Sequence, residues 1–473
     1  MASKIGEWLA DRFGLEPIRK NVLDRRVPKS FWYQGDGTTL TLLLGVLIGT
    51  GVVMAFTYSP APDAAYDSVV YITERQPLGW FVRGLHYWSA GLMVVMLFFH
   101  LFRQIILGGY KPPREATWLI GVLLFFAVLV MSFTGYVLRW DERGIYGLKV
   151  ALHIFSYVPL VGEELVLLVQ GGPELGARTL SRVYAVHVLI IPMLMLALVG
   201  YHLYLVILHG VTSPGETERP VRTAEEQRQV YNQDKQSEDR GEVFHPETTA
   251  KSGIMALLVF ALAVVLTMVV GPAELMPEAN LVETSTPAEE WWWWWYSALS
   301  ALLPPAIAPI FYVVFPVLVF AVLVLLPFID RGPARGVRNR PIAIIVVVLA
   351  VLAMLILSDL RRRSPWTGWP QAEPPAIPEG IELTARVEHG RQLFAQVGCS
   401  SCHPVAGHGP EVGTDFGQIR GIWSRTEIRN YILQPPAGIS MPSYRGRLSQ
   451  EDLEQVVEFV HTAQTFPREQ RLK

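Results

Sequence analysis

Seven stretches of this 473-residue chain are apolar over roughly the 20 residues that a helix needs to cross a bilayer. They lie near residues 38–58, 84–107, 117–138, 180–209, 252–271, 306–328 and 341–358. A backbone inside lipid has to satisfy its own hydrogen bonds, so such stretches fold as helices. Pro309 and Pro316 in the sixth stretch are tolerated there as a kink. With 51% hydrophobic residues and a mean hydropathy of +0.30, the chain reads as a membrane protein, yet from about residue 381 onward it is polar. The net charge of −2 comes without a basic tract beyond what membrane loops explain, which gives nucleic-acid binding no support.

The loops carry an orientation. Lys and Arg cluster in the N-terminal segment, in RQIILGGYKPPREATW, in the loop near 211–251 and in RGPARGVRNR at 331–340. Threading seven helices from an inside N-terminus puts all four clusters on the inner face, as the positive-inside rule asks, and delivers the polar C-terminal domain outside. Arg361, Arg362 and Arg363 then sit on the outer side, against the rule. The N-terminal segment lacks a long apolar core and so is not a cleaved signal peptide. Its Ile5, Trp8, Leu9 and Phe13 share one helical stripe, which suits a helix lying on the membrane or packed on a partner. The stretch from Trp140 to Thr179 is broken by Pro and Gly and reads as short outer helices. The run Trp291 to Trp295 fits either an aromatic belt or the lining of a cofactor site. Residues 361–380 are proline-rich and form a semi-rigid tether.

Two of the apolar stretches hold ionisable side chains, which are expensive in a membrane and mark functional sites. His86 and His100 are 14 residues apart, and His187 and His202 are 15 apart. On helices these intervals span roughly 21 and 22 Å, so two such helices side by side place one histidine pair near each membrane surface. Neutral imidazole ligates iron, and each facing pair can hold a haem between two rings. Gly37 and Gly51, and likewise Gly121 and Gly135, repeat the 14-residue interval, and glycine allows a close approach where a flat ring sits between helices. Arg83 and Arg182 lie near the outer histidines, Arg103 and Arg114 near His100. Their guanidinium forks suit haem propionates, although arginine at helix ends also snorkels to the membrane surface.

The polar domain carries Cys399-Ser-Ser-Cys402-His403, the attachment pattern of a c-type haem, with two thiols on the porphyrin edge and the histidine as axial ligand. Met441 is the candidate for the second axial position, with His408 and His461 competing. The chain has two cysteines in all, which excludes a disulfide scaffold and a four-thiolate iron–sulfur cluster.

Residues 25–210 resemble cytochrome b of the quinol–cytochrome c reductase (bc/b6f) family, through FVRGLHYWSAGLMVVMLFFHLFR, GGYKPPREATWLIG, FTGYVLRWD and LSRVYAVHVLIIP. Residues 250–360 resemble the three-helix subunit that completes cytochrome b in the chloroplast-type branch, and the domain after 380 resembles a class I cytochrome c. The 15-residue interval from His187 to His202 sides with that branch. The resemblance implies an all-α polytopic protein: a four-helix di-haem domain at 1–215, a three-helix domain at 216–360, the linker at 361–380 and a cytochrome c domain at 381–473. It implies two non-covalent haem b, His86 with His187 for the outer and His100 with His202 for the inner, and one covalent haem c on Cys399, Cys402, His403 and Met441.

The family oxidises quinol at an outer pocket through a Pro-Glu-Trp-Tyr carboxylate. Here the text is Ala288-Glu289-Glu290-Trp291-Trp292, so Glu290 is the positional match and Glu289 competes. A carboxylate among Trp faces and lipid is suited to accept a proton from quinol. Tyr136 and Trp140 would form the other wall, with Arg139 where the family has proline. The cysteine that attaches a further haem in chloroplast-type relatives is absent from Tyr33-Gln34-Gly35-Asp36, so no covalent third membrane haem is expected, and a non-covalent one stays open.

The resemblance implies a proton-translocating quinol–cytochrome c oxidoreductase with electron bifurcation. It would act in a bacterial inner membrane with a Rieske iron–sulfur protein, a soluble cytochrome c or similar acceptor, and a homodimeric assembly. The rival is a di-haem anchor that relays electrons between quinone and a dehydrogenase or hydrogenase, which would need neither an outer quinol pocket nor a fused cytochrome c.

Overall fold

The computed structural model describes residues 35–210, 241–279, 289–304, 307–332, 334–363, 374–378, 380–401, 403–408, 414–418, 423–436, 441, 443–445 and 448–466. It also describes 23–29 and short pieces at 8, 11–14 and within 223–233. Ile5, Leu9, Tyr33, Gln34, Ala288 and Cys402 lie outside the described residues, as do 364–373 of the tether.

Seven described helices are long and apolar enough to span a membrane. In chain order α1 is Asp36–Ala55, α2 the short Ala65–Glu74, α3 Gly79–Leu107 and α4 Glu115–Val137. Two short helices follow, α5 (Glu142–Ser156) and α6 (Gly162–Gln170), in the stretch expected to hold short helices. The fourth span runs from α7 (Ala177–Ala185) through a π-helical turn, Val186–Ile190, into α8 (Ile191–His209). The last three spans are α9 (Thr249–Val269), α11 (Ala308–Ile329) and α12 (Pro341–Arg363), with the short α10 (Trp294–Ala301) before α11. Among the described residues one short sheet accompanies the helices. Arg26–Pro28 (β1) pairs antiparallel with Gly241–Val243 (β2), Val27 opposite Glu242, and ties the N-terminal strap to the entry of α9.

The described chain forms two compact units, 1–141 with 151–276 and 309–353, and 142–150 with 277–308 and 354–473. In the first, α3 packs on α1 and α9, and α4 packs on α8. Gly108 ends α3 in the left-handed conformation (φ 69°) that frees its N–H for the last carbonyls of the helix, a glycine C-cap. Loop residues then lock two ends of the membrane segment together. Lys111, only 2% exposed, donates to Asp330 (2.8 Å) and the Gly332 carbonyl, while Tyr110 and Arg340 donate to the same carboxylate. The Trp118 indole of α4 donates to the Leu323 carbonyl of α11 at 2.6 Å.

In the second unit α13 (Ala385–Gln396), α14 (Arg425–Leu433) and α15 (Gln450–Ala463) surround a core of Phe394, Ile428, Val456 and Phe459. Each helix starts on a Thr or Ser cap: Thr384, Ser424 and Ser449 accept from the third residue's N–H. Gly390 lets α13 and α15 cross backbone to backbone, because a Cβ there would meet the Gln455 carbonyl oxygen at 2.1 Å.

Candidate functional site

The two histidine pairs share a face by different means. Fourteen residues of α-helix turn to within about 40° of four full turns, so His86 and His100 align on a regular α3. Fifteen residues would overshoot by about 60°. The fourth span absorbs the surplus residue in the π-helical turn Val186–Ile190, which contains His187. Pro192 follows directly; it has no N–H to lose, which lowers the cost of a wide turn at this point of the helix.

Across the two spans the His86 and His187 ring centroids are 6.4 Å apart, at 64°. Two metal–nitrogen bonds of about 2 Å plus ~1.1 Å from each nitrogen to its ring centre sum to ~6.2 Å, so the pair has room for one metal ion between the rings. At the other end His202 lies within electrostatic range of His100.

Hydrogen-bond accounting sets the ring tautomers. Thr50 Oγ1 donates its single proton to the Val46 carbonyl (2.7 Å), so at 2.9 Å it accepts from His86 Nδ1. Thr134 Oγ1 likewise donates to Val130 (2.9 Å) and accepts from His187 Nδ1 (2.9 Å). His100 Nδ1 donates to Asp36 Oδ2 at 2.9 Å. Each of these rings therefore keeps Nε2 as the lone-pair donor, the form that ligates iron. Among the described residues His202 Nδ1 has no hydrogen-bond partner, so its tautomer is not set in this way.

Three of the four glycines expected at this site face a histidine. A Cβ at Gly51 would sit 3.4 Å from the His86 ring, one at Gly121 3.4 Å from His202, and one at Gly135 2.8 Å from His187. Gly37 has nothing within 4 Å of the same point. Glycine at these three positions thus clears space for the imidazole rings, as a haem b held between such rings would require.

The arginines have protein partners. Arg103 spends Nε and Nη2 on Asp36, at 2.7 and 2.8 Å. Arg83 is buried and donates to Thr73 and to the Ala273 carbonyl. Arg114 donates to the Gly210 carbonyl, and Arg182 caps α6 through the Leu167 and Leu168 carbonyls.

The residues expected around quinol fall in both units. Tyr136 and Trp140 belong to the first and are buried, with the Arg139 guanidinium 5.9 Å from the Tyr136 ring centre. Trp140 holds a left-handed backbone (φ 54°), a conformation that costs a bulky residue about 1–2 kcal/mol and that concentrates at functional positions. Glu289 and Glu290 belong to the second, and their surroundings differ sharply. Glu289 takes a bidentate ion pair from Arg361 (3.0 Å twice) and a hydrogen bond from Ser297. Glu290 is 2% exposed, opens the Trp291–Trp293 turn and has the Arg143 guanidinium at 3.8 Å. Arg361 thereby has a local anionic partner.

In the polar domain the His403 Nδ1 donates to the Thr414 carbonyl at 2.9 Å, again freeing Nε2, and the ring stacks on Phe416 at 4.9 Å. Cys399 and Met441 pack against the helical core, a donor set suited to a covalent haem c. Their neighbour Cys402 is not among the described residues. His408 pairs its backbone with Val405, and His461 lies on α15.

A family model described as Cytochrome b/b6/petB matches residues 22–211. Cytochrome b6 of Synechocystis sp. is 35% identical over 214 residues, 45% of this chain and 96% of the relative. The chain belongs to the cytochrome b/b6 family. The menaquinol:cytochrome c reductase cytochrome b subunit of Geobacillus thermodenitrificans is 34% identical over 224 residues, covering 45% of this chain and 100% of that protein. Beyond that shared portion, this cytochrome b carries two further matches. Residues 278–370 match the Cytochrome b(C-terminal)/b6/petD model, and 385–460 match a model described as Cytochrome C oxidase, cbb3-type, subunit III. A solved structure titled Hyperthermophilic respiratory Complex III superposes with a TM-score of 0.65 at 29% identity, over 76% of this chain and 91% of the other.

Several site features escaped the sequence reading, Thr50 and Thr134 with no sequence signal at all. The π-turn had a signal, a proline five residues after a histidine whose interval is one residue too long for its partner helix. Asp36 had a weaker one, an acidic residue opening an apolar span.

Proposed function

We propose that the chain is the fused cytochrome b and cytochrome c subunit of a proton-translocating quinol–cytochrome c reductase complex. The observation that carries this reading is the facing pair His86 and His187, two rings at 6.4 Å with Nδ1 tied back and Nε2 left for metal. His86 with His187 would hold one haem b, His100 with His202 the other, and Cys399, Cys402, His403 and Met441 the haem c. When bound, these groups supply one-electron paths, across the membrane for the b haems and outward for the c haem.

The chain's own residues would do the rest. Glu290, buried at the start of the Trp291–Trp293 turn, takes a proton from quinol and passes it to the outer side. Glu289 is held by Arg361 and serves the local structure instead. Quinol oxidation then divides its two electrons between a separate Rieske iron–sulfur protein and the b-type path, and a soluble cytochrome c or similar carrier receives the output of the C-terminal domain. The complex is a homodimer in a bacterial inner membrane, N-terminus inside and cytochrome c domain outside. The domain limits are those of the sequence reading: 1–215, 216–360, a tether at 361–380, and 381–473.

Membranes given quinol, an inner-site inhibitor and an oxidant pulse test this. Oxidant-induced reduction of haem b is expected, with two b haems per c haem. E290Q should slow quinol oxidation by about 100-fold or more, the usual worth of a general base, whereas E289Q should leave turnover per assembled complex near wild type. Absence of oxidant-induced reduction with an intact Rieske partner overturns the bifurcating reading.

A further inference from the structure

The outer and inner histidines are backed by different chemistry. His86 and His187 each give their Nδ1 proton to a neutral threonine hydroxyl, Thr50 and Thr134. His100 gives its proton to a carboxylate, Asp36, at 2.9 Å. Asp36 is fully buried, and each of its oxygens has two donors. Oδ2 accepts from His100 Nδ1 and Arg103 Nε, and Oδ1 from Arg103 Nη2 and the Gly37 N–H. Geometry this complete is built by two elements. Asp36 sits in the first turn of α1, where a helix favours an anion, and Arg103 follows His100 by one turn on α3.

We propose that Asp36 is a positioning residue for the inner haem ligand, and that the Asp36–Arg103 pair sets that haem's reduction potential. The proposal rests on the reading of His100 as an iron ligand. A carboxylate on Nδ1 fixes the tautomer and orientation of the ring and makes Nε2 a stronger donor, which favours the oxidised metal. Arg103 opposes this, because its positive charge stands on the same carboxylate and disfavours the oxidised form. The two residues therefore pull the potential in opposite directions, and the inner site alone has this adjustment. A role confined to holding α1 against α3 would predict the same response, loss of stability, from either residue.

The test is a redox titration of the b haems in the full complex, read optically, together with haem content. D36N keeps an acceptor for Nδ1 and removes the charge. It should raise the inner haem's potential by about a tenfold change in its oxidised-to-reduced ratio, about 59 mV for one electron. R103Q leaves Asp36 on His100 and should lower the potential. The outer haem should move little in either variant. Shifts of the same sign, or none, overturn the proposal. If D36N fails to retain haem, R103Q decides alone: a lowered potential supports the pair, an unchanged or raised one overturns it. H100A separately checks the underlying reading. It should lose one b haem, and retention of both would overturn the ligand assignment rather than the tuning.

Discussion

The glycines at the histidines differ in how closely a side chain there would approach the rings. Gly135 is the tightest, because its missing Cβ would stand 2.8 Å from a His187 ring already held in place by Thr134. G135A should push that ring off its partner and reduce b haem below two per c haem in a haemochrome assay, with haem c unchanged. At Gly51 and Gly121 the same methyl would be 3.4 Å from the ring, and at Gly37 it meets nothing within 4 Å, so losses should follow the order 135, then 51 and 121, then 37. The 14-residue interval of these glycines was legible in the sequence, since it copies that of His86 and His100. Which of them touch a ring was not, because periodicity gives a face and not a distance. The choice between Glu289 and Glu290 shows the same limit. The two are neighbours in sequence, and they are distinguished by burial and by partners far away in the chain, Arg361 on Glu289 and Arg143 near Glu290.

Among the elements, the fourth span carries the clearest structural decision. Its 15-residue histidine interval and Pro192 are both in the sequence, but their reconciliation in a π-helical turn is a property of the folded helix. This separates two kinds of length change. Inserting one alanine between Val94 and Val95 of α3, which has no such turn, should rotate His86 by about 100° relative to His100 and remove a b haem. Deleting Leu189 from the π-turn should let that segment close as α-helix, leaving a 14-residue interval on one face and retaining both haems. Haem b content of the two purified variants checks the contrast, and equal loss in both would show that the turn does not carry the register. The other spans follow their hydropathy closely, because in lipid no alternative to the helix satisfies the backbone. The short β1–β2 ribbon lies outside that constraint and left no pattern in either three-residue segment.

For the molecule as a whole, the charged knot of Tyr110, Lys111, Asp330 and Arg340 joins the loop after α3 to the turn before α12. Burial pushes the Asp330 carboxyl up, but hydrogen bonds from Lys111 and Tyr110 and the charge of Arg340 outweigh it, so Asp330 titrates below the usual carboxylate range. A carboxyl lowered by folding stabilises the protein fully above its unfolded value of about 4 and loses that contribution as pH falls through the folded value. The wild-type complex in detergent should therefore lose stability on acidification below about pH 4. D330N, which strands Lys111 in the interior, should cost about 3 kcal/mol at neutral pH and lack that part of the acid response. Thermal melts at a series of pH values report both.

By itself the sequence determined the seven spans, the two histidine pairs and the haem c motif, because each rests on local chemistry: apolar length, helical period, and a five-residue pattern around Cys399. Tertiary structure decided what lies behind each ligand. Asp36 is 64 positions from His100, and Thr134 is 53 from His187. Arg361, which pairs with Glu289, comes from α12, 72 positions away. Hydrophobic spacing encodes which face a residue occupies. The hydrogen bond that selects a tautomer depends on a contact between helices, and no single helix contains it.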